Sequence, residues 1–233
     1  MNSKVWENKE TDDMCGRYFI DGDTGHEIAS LIGFQGRWCD TQGRRDISPA
    51  QKAWVLCRAE LVKELDPEEE KNGGQDRSRD RRTEASPVRI GCAPVKWGFP
   101  GHDGGSLVIN ARRENVFERK MFRDRIRQER CVIPAKGFYE WNRRKERSEF
   151  YSETEDVLFL AGILGEFHGE WRFVILTAEA NASVASVHDR MPMTIRREDI
   201  QEWICCDSHV EKYLAELQPM LKREQEYEQM SLF

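Results

Sequence analysis

Hydrophobic positions recur along the 233-residue chain with two different periods, and the switches between them mark out the elements. Cys15 to Asp21 alternates like a strand and stops at Asp21-Gly22-Asp23. Thr24 to Leu31 then has the spacing of a short helix with Thr24 as its N-cap. Gly33 to Ser48 has no period and is expected to be loop. Ala53 to Arg58 and Val88 to Gly98 alternate again, with Pro94 pointing to an edge or a bulge in the second run. Leu107 to Arg112 is a short apolar strand that ends on an amide and a guanidinium. From Glu114 to Arg130 the residues Val116, Phe117, Met121, Phe122 and Ile126 fall near one face of a helix whose other sides are basic. Cys131 to Ala135 leads into Gly137 to Trp141, and Val157 to Gly165 and Trp171 to Thr177 continue as antiparallel strands. Ala178 to Val187 reads as a short helix or loop before His188. Arg197 to Cys206 and Val210 to Leu221 read as two amphipathic helices.

These elements predict one α+β domain over residues 14–221. Residues 1–13 are polar and acidic and look like an unstructured extension, and Lys222 to Phe233 is expected to fray as an acidic tail. Residues 63–86 are almost wholly charged or small, which marks a flexible insertion within a hairpin. Apolar residues make up 39% of the chain and charged ones 33%, enough for a buried core under a heavily charged surface. No run approaches the ~18 apolar residues of a membrane span, so the expectation is a cytoplasmic protein, nucleoid-associated if bacterial, with no membrane partner. Seven cysteines without a C-x-x-C pair, and histidines without ligand spacing, indicate neither a disulfide framework nor a metal site; no cofactor is expected. The net charge of −6 is unevenly spread. Ala111 to Phe150 holds thirteen Lys or Arg against seven Asp or Glu, whereas Glu198 to Phe233 holds three against nine. A basic middle of this kind either solvates a helix face or meets nucleic acid.

Four polar residues stand among apolar or glycine-rich neighbours at expected strand ends or sharp loops: Cys15, Asn110, Glu140 and His188. Together they are a nucleophile, an orienting amide, a carboxyl acid/base and an imidazole. Cys15 directly follows Met14, and a small residue after an initiator Met permits its removal. The product would carry an α-amine and a thiol on adjacent carbons. The alternative is that Cys15 opens an ordinary buried strand. Glu140, flanked by Phe138, Tyr139 and Trp141, is in company that raises a carboxyl pKa.

Cys15-Gly16-Arg17, Trp97-Gly98-Phe99-Pro100, Ile109-Asn110-Ala111-Arg112, Gly137-Phe138-Tyr139-Glu140-Trp141 and His188-Asp189-Arg190-Met191-Pro192, in this order and spacing, resemble the motif set of the SOS-response-associated peptidase (SRAP) family. The resemblance implies a barrel-like, mostly antiparallel β core with flanking helices. It also implies a sensor of abasic sites in single-stranded DNA that crosslinks through an N-terminal cysteine. Carried onto matching positions, it makes Cys15 the nucleophile, Glu140 the general acid/base, His188 a proton shuttle and Asn110 an orienting amide. Arg17 and Arg112, with Arg113 as a weaker candidate, would meet phosphates, and Trp97 would support the DNA groove. The partner implied is single-stranded DNA with abasic sites, and a monomer is expected.

Three features depart from the pattern. Thirteen residues precede Met14, no tryptophan follows Pro100 closely, and Asp46-Ile47-Ser48-Pro49 stands where an Asn-x-x-Pro element is the rule. Two other readings compete. Cys15, with His188 as base and Asn110 as orienter, would make a cysteine peptidase that could remove its own leader. Alternatively the motifs are structural and the acidic tail binds a partner.

Overall fold

The computed structural model describes residues 16–32, 43–65, 90–102 and 105–225. The expectations for residues 1–13, for Cys15, for most of the charged insertion and for residues 226–233 fall outside these. In chain order the strands are β1 (Tyr18–Ile20), β2 (Arg45–Ile47), β3 (Lys52–Arg58), β4 (Ile90–Trp97), β5 (Phe99–Pro100), β6 (Leu107–Val108), β7 (Asn110–Arg112), β8 (Arg130–Ala135), β9 (Gly137–Trp141), β10 (Arg147–Tyr151), β11 (Leu158–Phe167), β12 (Glu170–Glu179), β13 (Arg190–Pro192) and β14 (Lys222–Gln225). The helices are α1 (Gly22–Ile32), α2 (Ala59–Leu65), α3 (Lys120–Arg123), α4 (Arg125–Gln128), α5 (Ile200–Cys205) and α6 (Val210–Ala215).

One sheet closes on itself. Its strands run β11-β8-β3-β4-β12, and β12 pairs back onto β11 to complete a ring. Its pairings are antiparallel except the short β4–β12 contact and the pairing of β7 with β12, which are parallel. A second sheet, β14-β10-β9-β1-β2, lies against it. This is the α+β, barrel-like and mostly antiparallel architecture expected. The strands of the ring read as continuous apolar runs because both of their faces are covered. Val55, Cys57, Val95, Ile133, Leu160 and Ile175 turn toward Tyr18, Phe138 and Phe150 of the second sheet. Their chain neighbours Leu56, Val132, Ala161 and Val174 pack instead with Phe122, Ile126, Trp203 and Tyr213 from the helical segments.

Local chemistry explains the element ends. Phe167 and Glu170 are joined by His168 and Gly169, both at positive φ, which is the two-residue turn that matches the twist of a hairpin. Helix α1 begins one turn earlier than its spacing suggests. Asp21 is its cap, accepting from the Thr24 N–H at 3.1 Å, while Thr24 Oγ1 accepts in return from the Asp21 N–H at 3.2 Å. Pro94 is tolerated because β4 gains its second neighbour only from Lys96 onward.

Several expectations need correction. The segment Glu114 to Arg130 is not one helix. It is a 3-10 turn at Arg113–Asn115 and two single turns, α3 and α4, and Arg130 already belongs to β8. The reason is Arg130 itself, fully buried, whose guanidinium donates to the carbonyls of Ile126 (2.9 Å), Trp203 and Ile204 (3.3 Å) and to Asp207 (2.8 Å). It takes up carbonyls that short helices leave unpaired. The helix at Val210 to Leu221 stops at Ala215, and residues expected as loop supply β2. Residues 63–65 belong to α2 rather than to the insertion. Lys222–Gln225, expected to fray, are strand β14 paired with β10.

Trp97 has no exposed surface. It lies 5.4 Å from Tyr18 and stacks on Phe173 at 6.0 Å and 8°, and its indole N–H donates to the Ile109 carbonyl at 3.0 Å. Trp97→Ala is expected to cost about 3–5 kcal/mol in denaturant unfolding. Arg190, also buried, is held in a fork by both Glu114 carboxylate oxygens (2.9 and 2.7 Å) and donates to the Thr177 carbonyl at 2.8 Å. Burial pushes the Glu114 carboxyl up, but the bonds and charge of Arg190 outweigh it and hold it below its ordinary value. Stability from this pair is therefore present above the ordinary carboxylate range and lost as pH falls through the lowered value. Glu114→Gln should destabilise at pH 7 by about 1–2 kcal/mol, discounted because Glu114 is partly exposed. In acid-unfolding curves its deficit should shrink below about pH 4.

Candidate functional site

The site is built at one end of β12. The first half of this strand is flanked by β4 and β11, and both leave it near Phe173 to Ile175. Their places are taken by two short strands. At Gly98, with φ of +105°, the chain turns out of β4, makes the small β5–β6 hairpin and returns as β7, whose Asn110, Ala111 and Arg112 pair with Ile175, Leu176 and Thr177. On the other edge β13 pairs Arg190, Met191 and Pro192 with Glu179, Ala178 and Thr177. Thr177, fully buried, is thus level with both Arg112 and Pro192. Asn110 and His188 therefore come from opposite edges of one strand.

The second sheet adds the carboxyl and the start of the described chain. Strand β1 pairs with β9, Tyr18 opposite Phe138, and the Arg17 carbonyl accepts from the Tyr139 N–H at 3.0 Å. Continued by one more pair, this register brings Gly16 level with Glu140. A Cβ on Gly16 would meet Ile109 Cδ1 at 3.9 Å, so the same residue borders the strand that carries Asn110. Gly16 thus borders Ile109 and follows directly on the Arg17–Tyr139 bond between β1 and β9. Cys15, the expected nucleophile, lies outside the described residues.

Glu140 is 1% exposed on the core-facing side of β9, opposite Ser148 of β10. His188 is half-buried at the end of the turn before β13. Its Nδ1 lies 3.0 Å from the Arg190 N–H and 3.1 Å from Asp189 Oδ1, contacts that ask opposite things of that nitrogen. The backbone N–H can only donate, so Nδ1 is the acceptor in the neutral ring and the proton sits on Nε2. Contact with Asp189 takes over when the ring is charged. Among the described residues, His188 meets its chain neighbours Asp189 and Arg190.

Two clefts flank these residues. One, of about 700 Å³, is lined by His188, Trp141, Arg143 and Arg144. The other, of about 820 Å³, is lined by Asn110, Arg112, Arg119, Lys120 and Arg125 with Phe122 and Phe167. The second is basic, with Glu118 as its one acidic lining residue, whereas in the first Glu146 and Asp189 balance the two arginines; each carries aromatic surface. Arg17 spans toward the first, its guanidinium 5.9 Å above the Trp141 ring and its buried Nε without a hydrogen-bond partner among the described residues. Arg112 is exposed in the second.

Two expected DNA contacts take other places. Trp97 is sealed in the core and supports the Ile109 carbonyl from beneath, so it cannot touch a ligand. The Arg113 guanidinium donates to the Glu216 carbonyl at 2.6 Å, its side chain is only 17% exposed, and it ties the C-terminal segment down. Arg119, Lys120, Arg125, Arg143 and Arg144 were legible only as part of a basic stretch, because the aim of the first three depends on the break of the expected helix and that of the last two on the turn between β9 and β10. Asp46 does not add free charge beside Glu140. It accepts from the Tyr139 hydroxyl at 2.7 Å, on the face of β9 opposite to Glu140.

Burial raises the thiols of Cys57, to about 12, and of Cys131, so neither is a ready nucleophile. Among the described residues, Glu202, Cys206 and His209 form a grouping of metal-ligand types. Glu202 there already accepts from Tyr213 and lies 3.6 Å from the Lys212 ammonium. No described helix is long and apolar enough to cross a membrane.

Comparison with known proteins agrees with this frame. The chain is 29% identical over 136 residues to the abasic site processing protein YedK of Escherichia coli, covering 54% of this chain and 57% of that one. It is 30% identical over 122 residues to YoaM of Bacillus subtilis, also named an abasic site processing protein, covering 48% and 54%. The chain therefore spans about half the length of the curated relatives it matches. A crystal structure of a protein from Bordetella bronchiseptica superposes with a TM-score of 0.66 at 17% identity over 91% of this chain and 100% of that one. A phage-related protein of the same organism gives 0.64 at 20% identity over 91% and 93%. The model of the family described as SOS response associated peptidase (SRAP) matches residues 14–232, and the chain belongs to that family.

Proposed function

We propose that this protein captures abasic sites in single-stranded DNA by forming a thiazolidine with Cys15. The observation that carries the reading is the position of Gly16. The residue next to Cys15 borders Ile109, the chain neighbour of Asn110, and continues β1, which pairs with the strand of Glu140; the basic cleft is lined by Asn110 and Arg112. Family membership and the names of the relatives point to the same substrate.

An abasic deoxyribose opens to an aldehyde. The α-amine of Cys15 adds to that carbon, and loss of one water gives the imine. The thiol then adds across C=N, its proton passing to nitrogen, and closes a five-membered ring of nitrogen, two cysteine carbons, sulfur and the sugar C1. Lysine forms the same imine without this exit, and the strand is then exposed to β-elimination. Glu140 donates the proton that opens the sugar and removes one as the imine forms. His188 offers Nε2–H to the sugar, and Asn110 orients the amine or the sugar. A free α-amine titrates near 8, so roughly a tenth is unprotonated at pH 7. Arg17 and Arg112 meet phosphates, and the aromatic surface of the clefts stacks bases.

The amine must be free, so the reading requires that Cys15 become the first residue, whether by starting at Met14 or by cleavage. Removal of residues 1–14 by the Cys15 thiol itself is the second reading that the residues before Met14 favour.

Incubating the complete chain, and a chain started at Met14, with abasic single-stranded oligonucleotide should give a denaturation-resistant adduct whose mass is that of the oligonucleotide plus the chain from Cys15 onward, less one water. Its protein should begin at Cys15. Cys15→Ala should abolish it, and Glu140→Gln should slow it by about 10²–10⁴-fold. An adduct on a chain that keeps residues 1–14 would exclude the ring. Cleavage of residues 1–14 that persists in Cys15→Ala would exclude self-processing. Arg17→Ala and Arg112→Ala should each weaken binding to single-stranded DNA and lower its salt slope by about 0.7, read by titration at several salt concentrations.

A further inference from the structure

The C-terminal strand reaches the site from behind. Before β14 the chain is laced to the turn that ends in His188. Asn181 Nδ2 donates to the carbonyls of Gln218 (3.1 Å) and Pro219 (2.7 Å), and the Leu221 N–H donates to Ser183 Oγ at 3.1 Å. Strand β14 then pairs with β10, Arg223 opposite Phe150 and Gln225 opposite Ser148. Ser148 is in turn opposite Glu140 in β9. Cross-strand partners share a face, so Glu140, Ser148 and Gln225 form one row across three strands, and Arg223 stands on the same face one row over.

The Arg223 guanidinium uses three donors in three directions. Nε donates to Ser148 Oγ at 3.0 Å, Nη1 to Ser186 Oγ at 3.1 Å and Nη2 to Gln225 Oε1 at 2.7 Å. Ser148 is 1% exposed and directly across from the Glu140 carboxyl-bearing residue, whereas Ser186 lies two residues before His188 in the turn. One rigid fork therefore bridges the sheet that carries the proposed acid/base and the turn that carries the proposed proton shuttle.

We propose that Arg223 is a positioning residue that fixes the separation of Glu140 and His188 by joining Ser148 to Ser186. The inference rests on the crosslinking role given above to those two residues. The planar guanidinium suits the task because two of its donors are held at a fixed angle. A lysine ammonium is a single point on a flexible stem and cannot hold both hydroxyls in the same geometry.

The test compares wild type with Arg223→Ala, Ser186→Ala, the double variant and Arg223→Lys, in whichever form of the chain gives the adduct. At saturating abasic oligonucleotide, Arg223→Ala should slow adduct formation about ten- to a hundred-fold, the scale of misplacing a catalytic group. Affinity for the same sequence bearing an unreactive tetrahydrofuran site should change less than about two-fold. Ser186→Ala should also slow the reaction, and the double variant should be no slower than Arg223→Ala, because one interaction is being removed twice. Arg223→Lys should recover little.

A merely structural role predicts a lower melting temperature with the rate per folded molecule unchanged, and that result would overturn the proposal, as would full recovery by lysine. A second measurement needs no crosslink. In the ¹H–¹⁵N spectrum of the complete chain, Arg223→Ala should move the His188 ring signals while leaving those of His26, His102 and His168 in place. If wild type gives no adduct, the crosslinking reading fails, and an unmoved His188 signal would then sink the role of Arg223 separately.

Discussion

Strand β12 must satisfy its backbone on both edges along its whole length, and the site depends on how it does so. Ring closure supplies β4 and β11 for its first half. Beyond Phe173 on one edge and Ile175 on the other those strands diverge, and a buried strand with unpaired N–H and C=O groups is costly. The chain fills the two vacancies with β7 and β13, three residues each. Each is short, and each has a polar residue where the chain enters it. Asn110 opens β7 and His188 stands two residues before β13. The polar groups are thus a consequence of how the ring ends, held by the strand least able to move.

The opposite wall of the site is fixed by a different constraint. β9 lies between β1 and β10 and turns Phe138 and Glu140 to the core side. A carboxyl in that row is desolvated by Phe138 and Phe150 and by the ring beneath. Tyr139, between them, faces the other way and takes up Asp46 and Arg44. Alternation along one strand therefore separates the Glu140 carboxyl from that of Asp46, which the Tyr139 hydroxyl holds on the other face.

Buried arginines hold the pieces that hydrophobic packing leaves loose. Arg130 gathers helix carbonyls from two separate segments, and Arg190 ties β13 to β12 and to Glu114. Each replaces secondary structure with charge-assisted bonds where the chain runs in single helical turns. Arg125, at the second cleft, does similar work, donating to the Met121 carbonyl and pairing with Glu129, whereas Arg112 beside it is exposed.

Much of the architecture was legible in the sequence. The apolar runs at Ala53–Arg58, Cys131–Ala135, Val157–Gly165 and Trp171–Thr177 could pair only as strands with both faces covered, and the order of the five motifs fixed the family. Asn110, Glu140 and His188 stood out because each interrupts such sequence. What the chain could not disclose was pairing across distance. The Glu114–Arg130 segment has a helical period, yet one buried guanidinium at Arg130 takes the carbonyls a helix would need. Trp97 looked like a groove residue and is core, because Gly98 turns the chain away immediately after it. The acidic composition of the C-terminus suggested fraying, but β10 offers an open edge there, and backbone pairing does not depend on side-chain polarity. Periodicity records what each segment can bury. Which segment reaches which edge is decided only when the ring has closed.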